Sequence, residues 1–198
     1  MERSIDYYYC LNSPWSYLGN QQLAKVALNQ SASINYKPVK IADIFKDSGG
    51  LPLAKRAKQR QDYRLVELER WRMHLDVPLT LKPAFFPANE DLAARVVIAA
   101  DLMGWNPGKL TQAFMAAVWA EERNIADEDI IYEIARETGH DGIALMDKAG
   151  TADVLIRYDE NTLDAKDLGV FGVPSYVLGE EIFWGQDRLD FLERVLAK

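Results

Sequence analysis

Leu11-Asn12-Ser13-Pro14-Trp15-Ser16-Tyr17-Leu18 separates two segments of unlike periodicity. Before it runs Ile5-Asp6-Tyr7-Tyr8-Tyr9-Cys10, rich in residues that favour strands. After it Leu18, Leu23, Val26 and Ala27 recur at helical spacing as far as about Gln30. Ser13 is a good helix N-cap, and Pro14 suits the first helical position, where no backbone N–H is required. The segment therefore reads as strand, tight turn and helix, with one hydroxyl on the helix N-terminus. Unpaired N–H groups and the positive end of the helix dipole stabilise an anion placed there. Taken by itself, Ser13 also reads as a residue that merely caps its helix.

A second pattern lies far downstream, at Val170-Phe171-Gly172-Val173-Pro174-Ser175-Tyr176-Val177-Leu178-Gly179. Gly-Val-Pro before an alternating apolar run is a turn entering a sheet, and proline belongs at the start of a strand. Glu180-Glu181 forms a hairpin tip, followed by Ile182-Phe183-Trp184 and Gly185-Gln186-Asp187-Arg188. A last helix is predicted from Leu189, Leu192, Val195 and Leu196, which share one face.

An opening strand-helix-strand unit with a marked turn at its first helix, and a late X-Pro-strand-hairpin-helix, resemble the thioredoxin fold. The fold class this implies is α/β, thioredoxin-like, with a large all-helical insertion of the DsbA-like kind. Redox members read Cys-Pro-X-Cys where this chain reads Ser13-Pro14-Trp15-Ser16, so dithiol–disulfide exchange is unavailable at this turn. The Ser-Pro-aromatic-Ser-aromatic-Leu pattern is similar to that of 2-hydroxychromene-2-carboxylate isomerases and their kappa-class glutathione-transferase relatives. Phe183-Trp184-Gly185-Gln186-Asp187-Arg188-Leu189 resembles the same family's C-terminal signature.

The resemblance implies a glutathione-dependent cis–trans isomerase acting on a hydroxychromene carboxylate or hydroxybenzylidenepyruvate. Ser13 would be the catalytic residue, its hydroxyl favouring the glutathione thiolate. Val173, before a proline expected in the cis form, would pair its backbone with the tripeptide. Trp184, Gly185, Gln186 and Asp187 match the segment for the γ-glutamyl end, although Asp187 alone also reads as an N-cap. Lys55 and Arg56 would bind the substrate carboxylate and Phe86 would wall the aromatic pocket. Relatives of the kappa class carry Asn where this chain has Gly50, so that side-chain contact is missing. The partners implied are a small aromatic keto acid and, by resemblance, a second copy of the chain in a homodimer. Two other readings stay open: a kappa-class-like transferase or peroxidase, and a redox-inert binding or chaperone module.

Size, charge and composition narrow the choice. The 198 residues, 48% hydrophobic and 27% charged, suit one core with an insertion. A net charge of −7 argues against nucleic acid as the main partner. No run approaches the roughly 20 apolar residues of a membrane span. Met1-Glu2-Arg3-Ser4 leads straight into a charged-flanked strand, which makes the cytoplasm the expected location. The single Cys10 allows no internal disulfide and reads as an inert thiol within the first strand. His74 and His140 are isolated, outside any metal-ligand spacing, so no metal is expected.

Between the two patterns the chain reads as helices. Residues 1–41 and 150–198 are assigned to the thioredoxin-like unit and 42–149 to the insertion. Lys55, Arg56, Lys58, Arg60 and Arg64 form a basic stretch that reads either as a solvated face or as an anion site. Amphipathic periodicity predicts a helix from Arg64 to Leu75, and further helices over Asp91–Met103, Lys109–Arg123, 128–138, Gly142–Ala149 and Ala152–Leu168. Phe85 and Phe86, in a proline-punctuated connection, read as core or as a substrate wall.

Overall fold

A computed structural model of the chain describes residues 3–198. Its centre is a four-stranded sheet in the order β2-β1-β3-β4, made of β1 (Ser4–Tyr9), β2 (Ser33–Pro38), β3 (Ser175–Leu178) and β4 (Glu181–Trp184). β2 lies parallel to β1, whereas β3 is antiparallel to both β1 and β4. The parallel pair needs a crossover, and α1 (Pro14–Asn29) supplies it. Gly179, at φ 64°, makes the tight turn between β3 and β4. The fold is thus α/β and thioredoxin-like. Seven helices enter between β2 and β3: α2 (Ile41–Ser48), α3 (Lys58–Leu75), α4 (Asp91–Leu102), α5 (Gly108–Trp119), α6 (Glu128–Glu137), α7 (Gly142–Ala149) and α8 (Ala152–Asp167). The chain closes with α9 (Leu189–Leu196).

The tyrosine run in β1 explains the layering. Successive strand residues face opposite sides, so Ile5, Tyr7 and Tyr9 enter the larger core with Leu18 and Leu23 of α1 and Leu192 and Leu196 of α9. Tyr8 faces the other way, into a smaller core with Val39, Ile44, Ala165, Val170 and Val177 beneath α2 and α8. Tyr7 stacks on Tyr9 at 4.5 Å and on Tyr176 at 5.3 Å, locking β1 against β3.

Three of the boundaries that differ from the sequence expectations have a visible local cause. β1 stops at Tyr9, so Cys10 lies one residue past the strand, in the turn, where its carbonyl accepts from Ser13 N at 3.1 Å. α3 begins at Lys58, six residues before Arg64. Its first turns are polar helix formers without apolar periodicity, and they are held by Lys58 pairing with Asp62 at 2.7 Å. α5 ends at Trp119, four residues early. The Trp119 carbonyl is taken by Thr80 N at 2.6 Å, and Glu122 adopts a left-handed φ of 52°.

Candidate active site

Ser13 caps α1 as its sequence context implies: its Oγ accepts from Ser16 N at 3.1 Å. That bond uses an acceptor lone pair and leaves the Ser13 hydroxyl proton free to be donated. Ser13 is 8% exposed, and Ser16 behind it is fully buried, its Oγ without a hydrogen-bond partner among the described residues. The nearby thiol does not compete. Burial pushes Cys10 well above the usual thiol range, and the Glu90 carboxylate pushes it further in the same direction.

Sheet register brings the downstream motif to the same end of the molecule. Tyr8 pairs with Ser175 in an antiparallel ladder, so Pro174 and Val173 continue past the sheet toward the turn that follows Tyr9. The Val173–Pro174 bond is cis, as expected. Val173 is half-buried, and its N–H and C=O have no hydrogen-bond partner among the described residues. Gly185 N donates to Pro174 O at 2.9 Å, tying the Trp184–Asp187 segment to this loop. Trp184 is half-exposed and packs against Gly172 and against Phe171, 4.7 Å between rings. Gly185 needs its φ of 107°, and a Cβ there would meet the Asp187 carboxylate at 2.6 Å. Asp187 is exposed and pairs with Arg188 at 2.8 Å, and it caps no helix. Gln186 is buried, its Cα and Cβ set against Gly19 of α1.

The helical region contributes the opposite wall. Asn12, beside Ser13, is clamped to it by three bonds: its N–H to Glu90 Oε2 (2.8 Å), its Nδ2 to Ala88 O (2.9 Å), and Ala88 N to its Oδ1 (3.0 Å). Two residues before Ala88, Phe86 is half-buried and packs on Trp119 with 4.9 Å between rings, whereas Phe85 is exposed. The Arg64 guanidinium lies over both rings, 5.3 Å from Phe86 and 5.6 Å from Trp119. Burial brings Arg64 down to about 10, and the charge of Arg56 adds to the effect. Arg56 is half-buried and anchored through Nε to Leu51 O at 2.7 Å. Lys55 is exposed on a short 3₁₀ turn (Leu53–Lys55). Gly50 lies tight against Phe45: a Cβ there would lie 2.1 Å from that ring, which would have to move.

The structure therefore gathers Ser13, Val173 and Trp184–Asp187 around one loop cluster, and Arg56 with Phe86 on a second wall fixed to Asn12. The sequence reading includes Arg64 only within a basic stretch and does not mark Glu90. Arg64 is one of five cations in ten residues, and nothing local marks it as the sunken one. Glu90 sits behind the turn, where burial lifts its carboxyl from 4.5 to about 7 against the opposing bonds from Asn12 and Leu11. Its only sequence signal is a carboxylate immediately ahead of a helix. The two histidines lie apart, His74 against Trp71 and His140 against Trp105. No helix among the described residues is long and apolar enough to cross a membrane.

Comparison with known proteins places the whole chain. The profile of the DSBA-like thioredoxin domain matches residues 4–197. A 2-hydroxychromene-2-carboxylate isomerase of Pseudomonas putida is 32% identical over 98% of this chain and 94% of its own. Human glutathione S-transferase kappa 1 is 26% identical over 100% of this chain and 92% of its own. A solved structure of a 2-hydroxychromene-2-carboxylate isomerase superposes with a TM-score of 0.85 at 30% identity, covering 98% of this chain and 94% of the other.

Proposed function

This chain belongs to the DsbA-like thioredoxin family, alongside the 2-hydroxychromene-2-carboxylate isomerases, and from that premise we propose that it is a glutathione-dependent isomerase of an aromatic keto acid. The observation that carries the reading is the Ser13 hydroxyl, buried on the N-terminus of α1 with its proton free and no available thiol or imidazole beside it. The chemistry that bound glutathione supplies is reversible addition of its thiolate to a conjugated double bond, which becomes single, rotates, and is restored as the thiol returns unchanged.

The residues fit that task. Ser13 would donate its O–H to the sulfur, and the helix N-terminus would add positive potential, both favouring the charged form. The free N–H and C=O of Val173 match the backbone pairing of an added strand. Asp187, beside Trp184 and Gly185, offers a carboxylate to an ammonium group, in competition with Arg188. Arg56 and Phe86 would face the substrate, with Lys55 exposed to solvent beside Arg56. A cytoplasmic homodimer belongs to the same proposal by resemblance, and light scattering of the purified chain tests the dimer.

The direct test is spectroscopic. The protein, a catalytic amount of glutathione and a hydroxychromene carboxylate should give the trans keto acid with no loss of free thiol. Absence of turnover, together with no thermal stabilisation by millimolar glutathione, removes the reading; at ~100 times Kd the stabilisation is about 2.7 kcal/mol. The likeness to the kappa transferase keeps one alternative, net conjugation of an electrophile, and stoichiometric thiol consumption would favour it.

A further inference from the structure

We infer that Arg64 seats the carboxylate of the substrate, and that the Phe86–Trp119 pair beneath it favours acids carrying an aromatic ring. The inference rests on the isomerase reading for the reaction, and on the following contacts for the residue. On α3 the next arginines have carboxylate partners one turn earlier: Arg70 with Glu67 at 2.6 Å and Arg72 with Glu69 at 2.7 Å. Lys58 has Asp62 at 2.7 Å. Desolvation acts on Arg64 far more than on Arg70, Arg72 or the exposed Lys58, yet no carboxylate among the described residues pairs with it. Its company is two aromatic faces and a second cation, Arg56.

A guanidinium taken out of water without a counter-charge is costly, and cation–π contact offsets only part of that cost. An anion entering here relieves both the desolvation and the repulsion between Arg56 and Arg64. Geometry suits a carboxylate. The guanidinium presents a planar fork of N–H donors, two of which donate to the two oxygens of one carboxylate. An aromatic group on the same acid then continues the stack on Phe86. The wall is held near the Ser13 hydroxyl because Phe86 is two residues from Ala88, whose N–H and C=O are both bonded to Asn12.

The test uses the full chain, Arg64→Met and Arg64→Lys, with cinnamate and its primary amide as non-reacting probes in calorimetry, and the keto acid in kinetics. Arg64→Met should weaken cinnamate binding and raise KM for the keto acid ten- to hundredfold, the loss of a charge-assisted contact. Cinnamamide binding and glutathione affinity should move less than threefold. Arg64→Lys should restore only part, because an ammonium lacks the planar fork. A merely structural arginine would weaken acid and amide alike, or leave both unchanged while lowering the melting temperature, and either result overturns the inference. No cinnamate binding by the unaltered chain also overturns it. Should Arg64→Met fail to fold, an Arg64→Lys variant that binds acid as tightly as the unaltered chain does the same. Arg64-dependent cinnamate binding in a protein without isomerase activity upholds Arg64 and removes the isomerase reading instead.

Discussion

At the first turn of α1 a negative charge would meet backbone N–H groups and the Ser13 hydroxyl, whereas beyond Asn12 it would meet the Arg64 guanidinium over two aromatic rings, with Arg56 nearby. The first device is made by the fold itself. A helix N-terminus costs no side-chain desolvation and cannot be deleted without losing the helix. The second is assembled from separate elements, with Arg56 ahead of α3, Arg64 on it, Phe86 in a loop and Trp119 ending α5. It carries a desolvation cost, and single substitutions can remove it.

The most damaging way to break this contrast is Ser13→Ala. Losing one hydrogen bond to a charged sulfur, on the order of 1.5–3 kcal/mol, should cut turnover roughly ten- to hundredfold. The apparent pKa of bound thiol should rise by about one to two units, so activity recovers as pH is raised. Thiolate absorbance and kcat against pH decide it. An unshifted profile with near-normal rate would leave Ser13 as a cap alone, at about 1 kcal/mol of fold stability.

Glu90 joins the two walls through Asn12 and makes a pH-dependent test of that joint. Its folded value, about 7, lies above its ordinary 4.5, so between those limits the native state binds more protons than the unfolded chain. Stability therefore falls as pH rises from about 4.5 to 7, by about 2 kcal/mol once partial exposure is allowed for. Glu90→Gln keeps an oxygen to accept from Asn12 N and should flatten that slope. Urea midpoints measured across the interval would show it, and an unchanged slope would mean that Glu90 is ionised at little cost.

Smaller effects sharpen the division. Phe86→Leu removes one ring beneath Arg64, an interaction of about 0.5–1.5 kcal/mol, so KM for the aromatic acid should rise roughly three- to tenfold. Glutathione affinity should stay within twofold, and a parallel loss there would mean the walls are not separable. Lys55→Gln should change KM by less than about twofold, because the ammonium is solvated and surface charges contribute little. A large effect from Lys55 would move carboxylate recognition off the aromatic shelf.

Much of the Ser13 side was legible from residues near one another in sequence. Ser13 and Pro14 declare a helix start, the strand formers before them declare β1, and the cis form at Val173–Pro174 follows from the resemblance to thioredoxin folds. Such features are set by chain geometry over a few residues, so the amino-acid order alone determines them. The burial of Arg64 and Glu90 and the space claimed by Phe45 at Gly50 were decided by tertiary structure. Desolvation depends on which distant segments close over a charge. The sequence around Arg64 holds four other cations, and only the packing of Phe86 and Trp119, 22 and 55 residues further on, selects the one that is taken out of water.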